Sequence, residues 1–386
     1  MYQFKGRPDG REPRAEVLDV NGTFYGTTYN GGESACFRKL GCGTVYTVTA
    51  SGSETVLHSF TGGSDGAHPA AGLIDVNGTL YGATEYGGGA GCKKAGCGTV
   101  YSITTSGSEK VLHSFSGSPD GARPAAPLIN VDGTLYGTTK DGGTSECHRD
   151  HRPLGCGIVY SITASASEKV LHSFTGGSDG AYPAASLLGV NGTLYGTTND
   201  GGAYGDGTVF RVSTAGKEKV LYSFRGVPDG AHPIAPLIDV NGTLYGTTEY
   251  GGIDGCLPPE EEDCGTIYRV STAGAETVVY KFPFGGGDGA DPRAGLISVH
   301  GILYGTTYYG GVDGEQGYGT LFSVTNDGKE HKLHTFANGG YWPAAGLINV
   351  DGTLYGTTAG NDGTLYRIRA RGAENTGSQF VKGASF

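Results

Sequence analysis

The sequence predicts an all-β protein, a seven-bladed β-propeller of four-stranded antiparallel blades, closed by the N-terminal strand completing the last blade. Three observations carry this. Glycine supplies 73 of 386 residues, far above the usual ~7%, and turn residues recur at the spacing that separates short strands. One unit is written repeatedly: "DGAHPAAGLIDVNGTLYGATEYGG" from Asp65 returns as "DGAHPIAPLIDVNGTLYGTTEYGG" from Asp229, with variants between and around them. The unit is also out of phase with the chain. The opening "MYQFKGRPDG" aligns with "VLYSFRGVPDG", a fourth strand, whereas the last copy, "DGTLYGTTAGNDGTLYRIRA", runs out after its third.

Each copy reads as four strands in order. "GLIDV" is an almost wholly apolar run and is expected innermost. The step that follows is Asn-Gly or Asp-Gly at Asn21, Asn77, Asp132, Asn191, Asn241 and Asp351, and His-Gly at His300, a mean pitch of 55 residues. Such a step is the strongest short hairpin signal, because a type I′ turn needs two positive φ angles. The Asn-Gly-Thr triplets match the glycosylation pattern, but Asp and His replace Asn in other copies, so turn chemistry explains them. "TLYGTT" is the second strand, "GTVYSIT" the third and "EKVLHSF" the fourth. Radial repetition of such sheets makes a propeller; a β-solenoid would need shorter repeats and caps. Residues 1–370 therefore read as one propeller. Residues 371–386, "RGAENTGSQFVKGASF", lose the apolar spacing and read as a surface tail; the alternative is a degenerate fourth strand displacing Met1–Phe4.

"NGTLYGTT…GG…GTVY" with "EKVLHSF" resembles the bacterial tandem repeats called GloVer, found in secreted proteins with various C-terminal surface anchors. The resemblance covers Met1 to about Ala370. It implies a propeller on an exported bacterial protein and carries over no functional residues.

Bulk properties narrow the partners. A net charge of −11 argues against nucleic acid, whose phosphates need a basic footprint. No apolar run approaches the ~18 residues of a membrane span. The chain opens without a basic-then-apolar leader. No motif calls for a cofactor.

The eight cysteines fall as Cys36/Cys42, Cys92/Cys97, Cys147/Cys156 and Cys256/Cys264, each pair in the loop between second and third strands of one blade. The other three copies lack both members. Paired presence and paired absence favours four local disulfides, each worth about 2 kcal/mol, and an oxidising compartment, hence a secreted or cell-surface protein. "CHRDHRPLGC" offers an alternative, with Cys147, His148, His151 and Cys156 as Zn²⁺ ligands. The acidic run from Glu260 offers a Ca²⁺ alternative.

Comparing copies also separates framework from site. Asp9, Asp65, Asp120, Asp179, Asp229 and Asp288 recur before glycine, as turn-forming acids do. His58, His113, His172 and His334 exchange freely with Tyr2, Tyr222 and Tyr280, so that position asks for a flat side chain with a polar tip. Positions that vary from blade to blade on the loop-rich face are the candidates. Before the repeat's proline stand Glu12, His68, Arg123, Tyr182, His232, Asp291 and Trp342, expected around the mouth of the central channel. At the second-strand exits stand Glu85, Tyr86, Glu249 and Tyr250, with Tyr29, Lys140, Asn199, Tyr308, Asn30, Asp141, Asp200 and Tyr309 at the equivalent positions. Aromatics mixed with planar polar groups suit a sugar.

The leading expectation is an extracellular, non-enzymatic module that binds a polysaccharide or other cell-surface or matrix component. Its duplicated His/Glu/Tyr sets suggest multivalency. The second reading is a polysaccharide lyase or hydrolase using Glu12, Asp291, His68, Arg123 and Tyr182. The third is a structural disc that self-associates through its tail.

Overall fold

The computed structural model describes residues 2–36, 39–89, 91–92, 95–149, 152–253, 265–283, 287–311, 317–337 and 340–369. Among these, seven four-stranded antiparallel sheets form the blades, and none of the elements is a helix. Blade 1 consists of Leu18–Val20, Thr23–Thr28, Thr44–Thr49 and Glu54–Ser59. Blades 2 to 6 repeat it over 74–114, 129–173, 188–223, 238–281 and 297–335. Blade 7 takes three strands from 348–369 and its fourth from Tyr2–Gln3, with Tyr2 opposite Leu365 and Gln3 opposite Thr364. The innermost strand is shorter than its apolar run: three residues pair, as in Ile74–Val76, and the preceding residues turn into the interblade linker.

The hairpin expectation holds in all seven copies. The Asn, Asp or His of the step has φ of 49–54° and the following glycine 73–82°, the two positive values of a type I′ turn. The glycine of "LYG" has a different reason, close approach. A Cβ at Gly82 would lie 2.5 Å from the hydroxyl of Tyr101, which is fully buried on the adjacent third strand.

The core is a circle of seven clusters, each filled from two neighbouring blades. Leu18, Val20, Val45 and Phe60 of blade 1 meet Leu80, Tyr101 and Ile103 of blade 2. The cluster that closes the circle joins Phe4, Leu365 and Val350 of blade 7 to Phe24, Tyr46 and Val48 of blade 1. No sheet buries its faces alone; each needs both neighbours, so the apolar area accrues only as the ring assembles.

Of the four expected disulfides, three are present among the described residues: Cys36–Cys42, Cys92–Cys97 and Cys147–Cys156. The last consumes both sulfurs that the zinc alternative required, and that alternative falls. The fourth expected bond is the one between Cys256 and Cys264. Cys256 lies outside the described residues, and so does Cys264. The acidic run at Glu260, His151 and the 371–386 tail lie outside them as well.

Candidate functional site

The residues before the repeat's proline share a backbone conformation that the sequence does not announce. Glu12, His68, Arg123, Tyr182, His232, Asp291 and Trp342 all have φ between 53° and 61°. This left-handed region costs an L-residue roughly 1–2 kcal/mol and persists only where the surroundings impose it. The surroundings do so twice over. The His68 N–H donates to the Cys42 carbonyl of blade 1, and the His68 carbonyl accepts from the Glu85 N–H of blade 2. Arg123, His232 and Trp342 staple their neighbouring blades in the same way, and Glu12 staples blade 7 to blade 1 through Asp362 and Tyr29. The proline that follows is pressed against the next-door backbone: a Cβ at Gly43 would lie 2.4 Å from Cδ of Pro69, and one at Gly363 would lie 2.1 Å from Cδ of Pro13. An invariant backbone thus presents a varied side chain at each junction.

Those side chains do not form one even ring. Tyr182, 5% exposed, packs into the hydrophobic cluster between blades 3 and 4, so it serves the frame. His68 and Asp291 are also buried; Glu12, Arg123, His232 and Trp342 are partly exposed. Most of the others join into two arcs. In the first, Arg14 donates to Glu12 (2.8 Å) and its guanidinium lies over the Tyr29 ring (3.8 Å). The Tyr29 hydroxyl donates to Glu85 (3.1 Å), and Arg123 bridges Glu85 and Asp141, each at 3.0 Å. In the second, Arg293 bridges Glu249 (2.7 Å) and Asp291 (3.2 Å) and sits 4.4 Å from the centre of the Tyr308 ring. Tyr308 stacks on Trp342, the two planes within 11° of parallel and the centroids 5.9 Å apart. Tyr341 stands edge-on to Trp342 and reaches Tyr318, one of the two most exposed large apolar side chains described.

The two duplicated stretches, identical at His, Glu and Tyr, do not present the same surface. His68 bonds through Nδ1 to the Tyr29 carbonyl (2.9 Å) and packs against the Tyr29 and Tyr86 rings. Burial lowers its pKa below 6.5, outweighing the Tyr29 carbonyl and Glu85. His232 bonds to the Asp200 carboxylate (2.9 Å). Burial pulls it down too, but the Asp200 contact prevails and its pKa is raised. The difference arrives from the preceding blade, where Asn30 in one place is replaced by Asp200 in the other.

Arg14 and Arg293 were missed among the candidates, yet the same comparison of copies could have found them. The position two residues after the staple is Ala in four blades, Ile in one and Arg in these two. Tyr318 and Tyr341 lie in stretches that vary in length between copies, where alignment gives no signal.

Fold and site together define a seven-bladed β-propeller with a variable face mounted on repeated, strained staples. The chain belongs to the family of the Gloeobacter/Verrucomicrobia repeat, whose model matches residues 1–149, 93–311 and 259–384. No protein of curated function matches it. Among solved structures, it is similar to the periplasmic gluconolactonase PpgL of Pseudomonas aeruginosa, with a TM-score of 0.55 and 13% identity over 93% of this chain and 95% of that one. A protein from Lactobacillus plantarum matches with a TM-score of 0.54 and 14% identity over 88% and 91%. A puromycin-hydrolyzing peptidase of Mycobacterium tuberculosis matches at 0.55 and 10% identity over 98% of this chain and 55% of its own. At such identities the likeness shows the fold alone.

Proposed function

We propose that this propeller is an extracellular binding module whose loop-rich face recognises a glycan, with the principal subsite at blades 6 and 7. The observation that carries the reading is the Tyr308–Trp342 platform. The stacked, nearly parallel rings offer an aromatic face for the C–H side of a sugar. Beside it, the Arg293, Glu249 and Asp291 group supplies planar donors and acceptors for hydroxyls. The three described disulfides favour an oxidising compartment. Charged groups at the face are largely tied to one another, as Arg123 is to Glu85 and Asp141, which suits positioning of a ligand better than proton transfer to it.

Trp342 is the sole tryptophan of the chain, so its fluorescence reports on the subsite directly. Titration with soluble oligosaccharides should change its intensity or emission maximum for at least one glycan class. The same glycan, immobilised, should retard the native protein and not Tyr308→Ala. A panel of neutral and acidic polysaccharides that leaves the emission untouched and retards nothing would remove the proposal.

A further inference from the structure

Outside the variable face, the most repeated polar feature lies between the blades. Each aspartate that follows a fourth strand reaches back to that strand. Asp120 accepts from the Ser116 N–H (3.0 Å) and from His113 Nε2 (3.2 Å). Asp179 does the same with Thr175 and His172, and Asp65 accepts from the Thr61 N–H with His58 Nε2 3.5 Å away; Asp9, Asp229 and Asp288 pair with Tyr2, Tyr222 and Tyr280. The aspartate and the His/Tyr position are therefore one framework unit.

A second carboxylate faces this unit from the next blade, and nothing in the repeat's spacing signals it. It is the glutamate that opens each fourth strand. In Glu54, Glu109, Glu168, Glu218, Glu276 and Glu330, Oε1 is fully buried without a hydrogen-bond partner. A buried carboxylate oxygen without a donor is costly, and here the cost recurs at six junctions. One oxygen of Glu168, one of Asp120 and a ring nitrogen of His113 lie within 4.8 Å of one another. Two oxygens on opposite sides of a Ca²⁺-sized ion stand about 4.6–5.2 Å apart, so the gap is of the size that a cation closes.

We propose that the blade junctions are divalent-cation sites, with His113, Asp120 and Glu168, the one set among the described residues whose donor atoms already stand that close, as the ligands of the best-formed one and the more widely spaced His58/Asp65/Glu109 and His172/Asp179/Glu218 sets as its sisters. The ion joins a carboxylate of one blade to a carboxylate of the next and gives the orphaned glutamate oxygen a partner. The imidazole suits a first-row ion such as Mn²⁺ or Zn²⁺; the tyrosine junctions, offering oxygen only, suit Ca²⁺. Because Tyr replaces His without loss of the aspartate or glutamate, the carboxylate pair is the constant part of the site.

Protein stripped with a chelator and dialysed to equilibrium against Mn²⁺ near pH 8 should retain ions, and its melting temperature should rise. The triple variant Glu109→Gln, Glu168→Gln, Glu218→Gln should retain three fewer ions and lose most of that rise, while melting higher than the native chain when both are metal-free. Native protein that retains no Mn²⁺, Zn²⁺ or Ca²⁺ would overturn the proposal even if the variant fails to fold. So would a variant that binds as many ions as the native chain. The single substitution Glu168→Gln, expected to remove one ion, repeats the count where the triple change is too severe.

Discussion

His68 and His232 show how far one side chain's chemistry is decided by its neighbour. The sequence around them is nearly the same and each ring meets a backbone carbonyl, of Tyr29 or of Asn199, but only His232 has a carboxylate, that of Asp200, beside it. Titration followed by NMR should find His68 losing its proton below pH 6.5 and His232 keeping its proton above it, from the directions of their shifts. Asp200→Asn should bring His232 down to the behaviour of His68; an unchanged titration would discount the carboxylate. A second test uses the buried Tyr101, whose hydroxyl has no hydrogen-bond partner. Blades 4 and 6 place Phe210 and Phe322 at the same position. Tyr101→Phe should therefore be neutral or stabilising by up to about 1 kcal/mol in urea unfolding, since only an unsatisfied group is lost.

The strands and their turns were legible because each carries a repeated local signal: an apolar run, an Asn-Gly or Asp-Gly step, glycines at regular spacing. Paired presence and absence made three disulfides legible too; the same pairing applied to Cys256 and Cys264 falls on residues outside those described. Removing one bond by Cys92→Ser with Cys97→Ser should cost about 2 kcal/mol, a modest loss because blades 4 and 6 manage their equivalent loops without cysteine. The staples were legible only as positions that vary. Their φ is set by hydrogen bonds to two different blades, and a residue's own identity says nothing about such partners. For the same reason nothing in the sequence marks the glutamates of the fourth strand. Their isolation depends on an aspartate far away in the chain, as Glu168 does on Asp120.

At the level of the whole molecule, pH should act through those glutamates together. Burial, with a neighbouring aspartate, pushes Glu54, Glu218, Glu276 and Glu330 up to about 7, and raises Glu109 and Glu168. A folded-state pKa above the unfolded value near 4.5 gives stability that is complete below 4.5 and lost as pH rises through about 7. Asp65 and Asp120 are opposed by burial, but their hydrogen bonds to His58, His113 and nearby donors prevail and hold them below 3.8, so their contribution disappears only in stronger acid. Metal-free protein should thus melt higher at pH 5 than at pH 8. A flat or reversed profile in calorimetry would contradict the burial of the six glutamates.

Closure of the circle rests on a short segment. Phe4 is 1% exposed between blades 7 and 1, and Phe4→Ala should cost about 3–5 kcal/mol, measured by denaturant midpoint. The pairing of Tyr2 and Gln3 with Leu365 and Thr364 has a mechanical meaning as well. A circle sewn from one thread has a single seam, and here the stitches at the seam are two residues long, whereas the fourth strands of blades 1 to 5 run to six. Local opening begins where the fewest bonds must break. Hydrogen exchange should therefore be fastest along Thr364–Arg369 and fade with distance in both directions around the rim, so that the blade farthest from the seam keeps its amide protons longest.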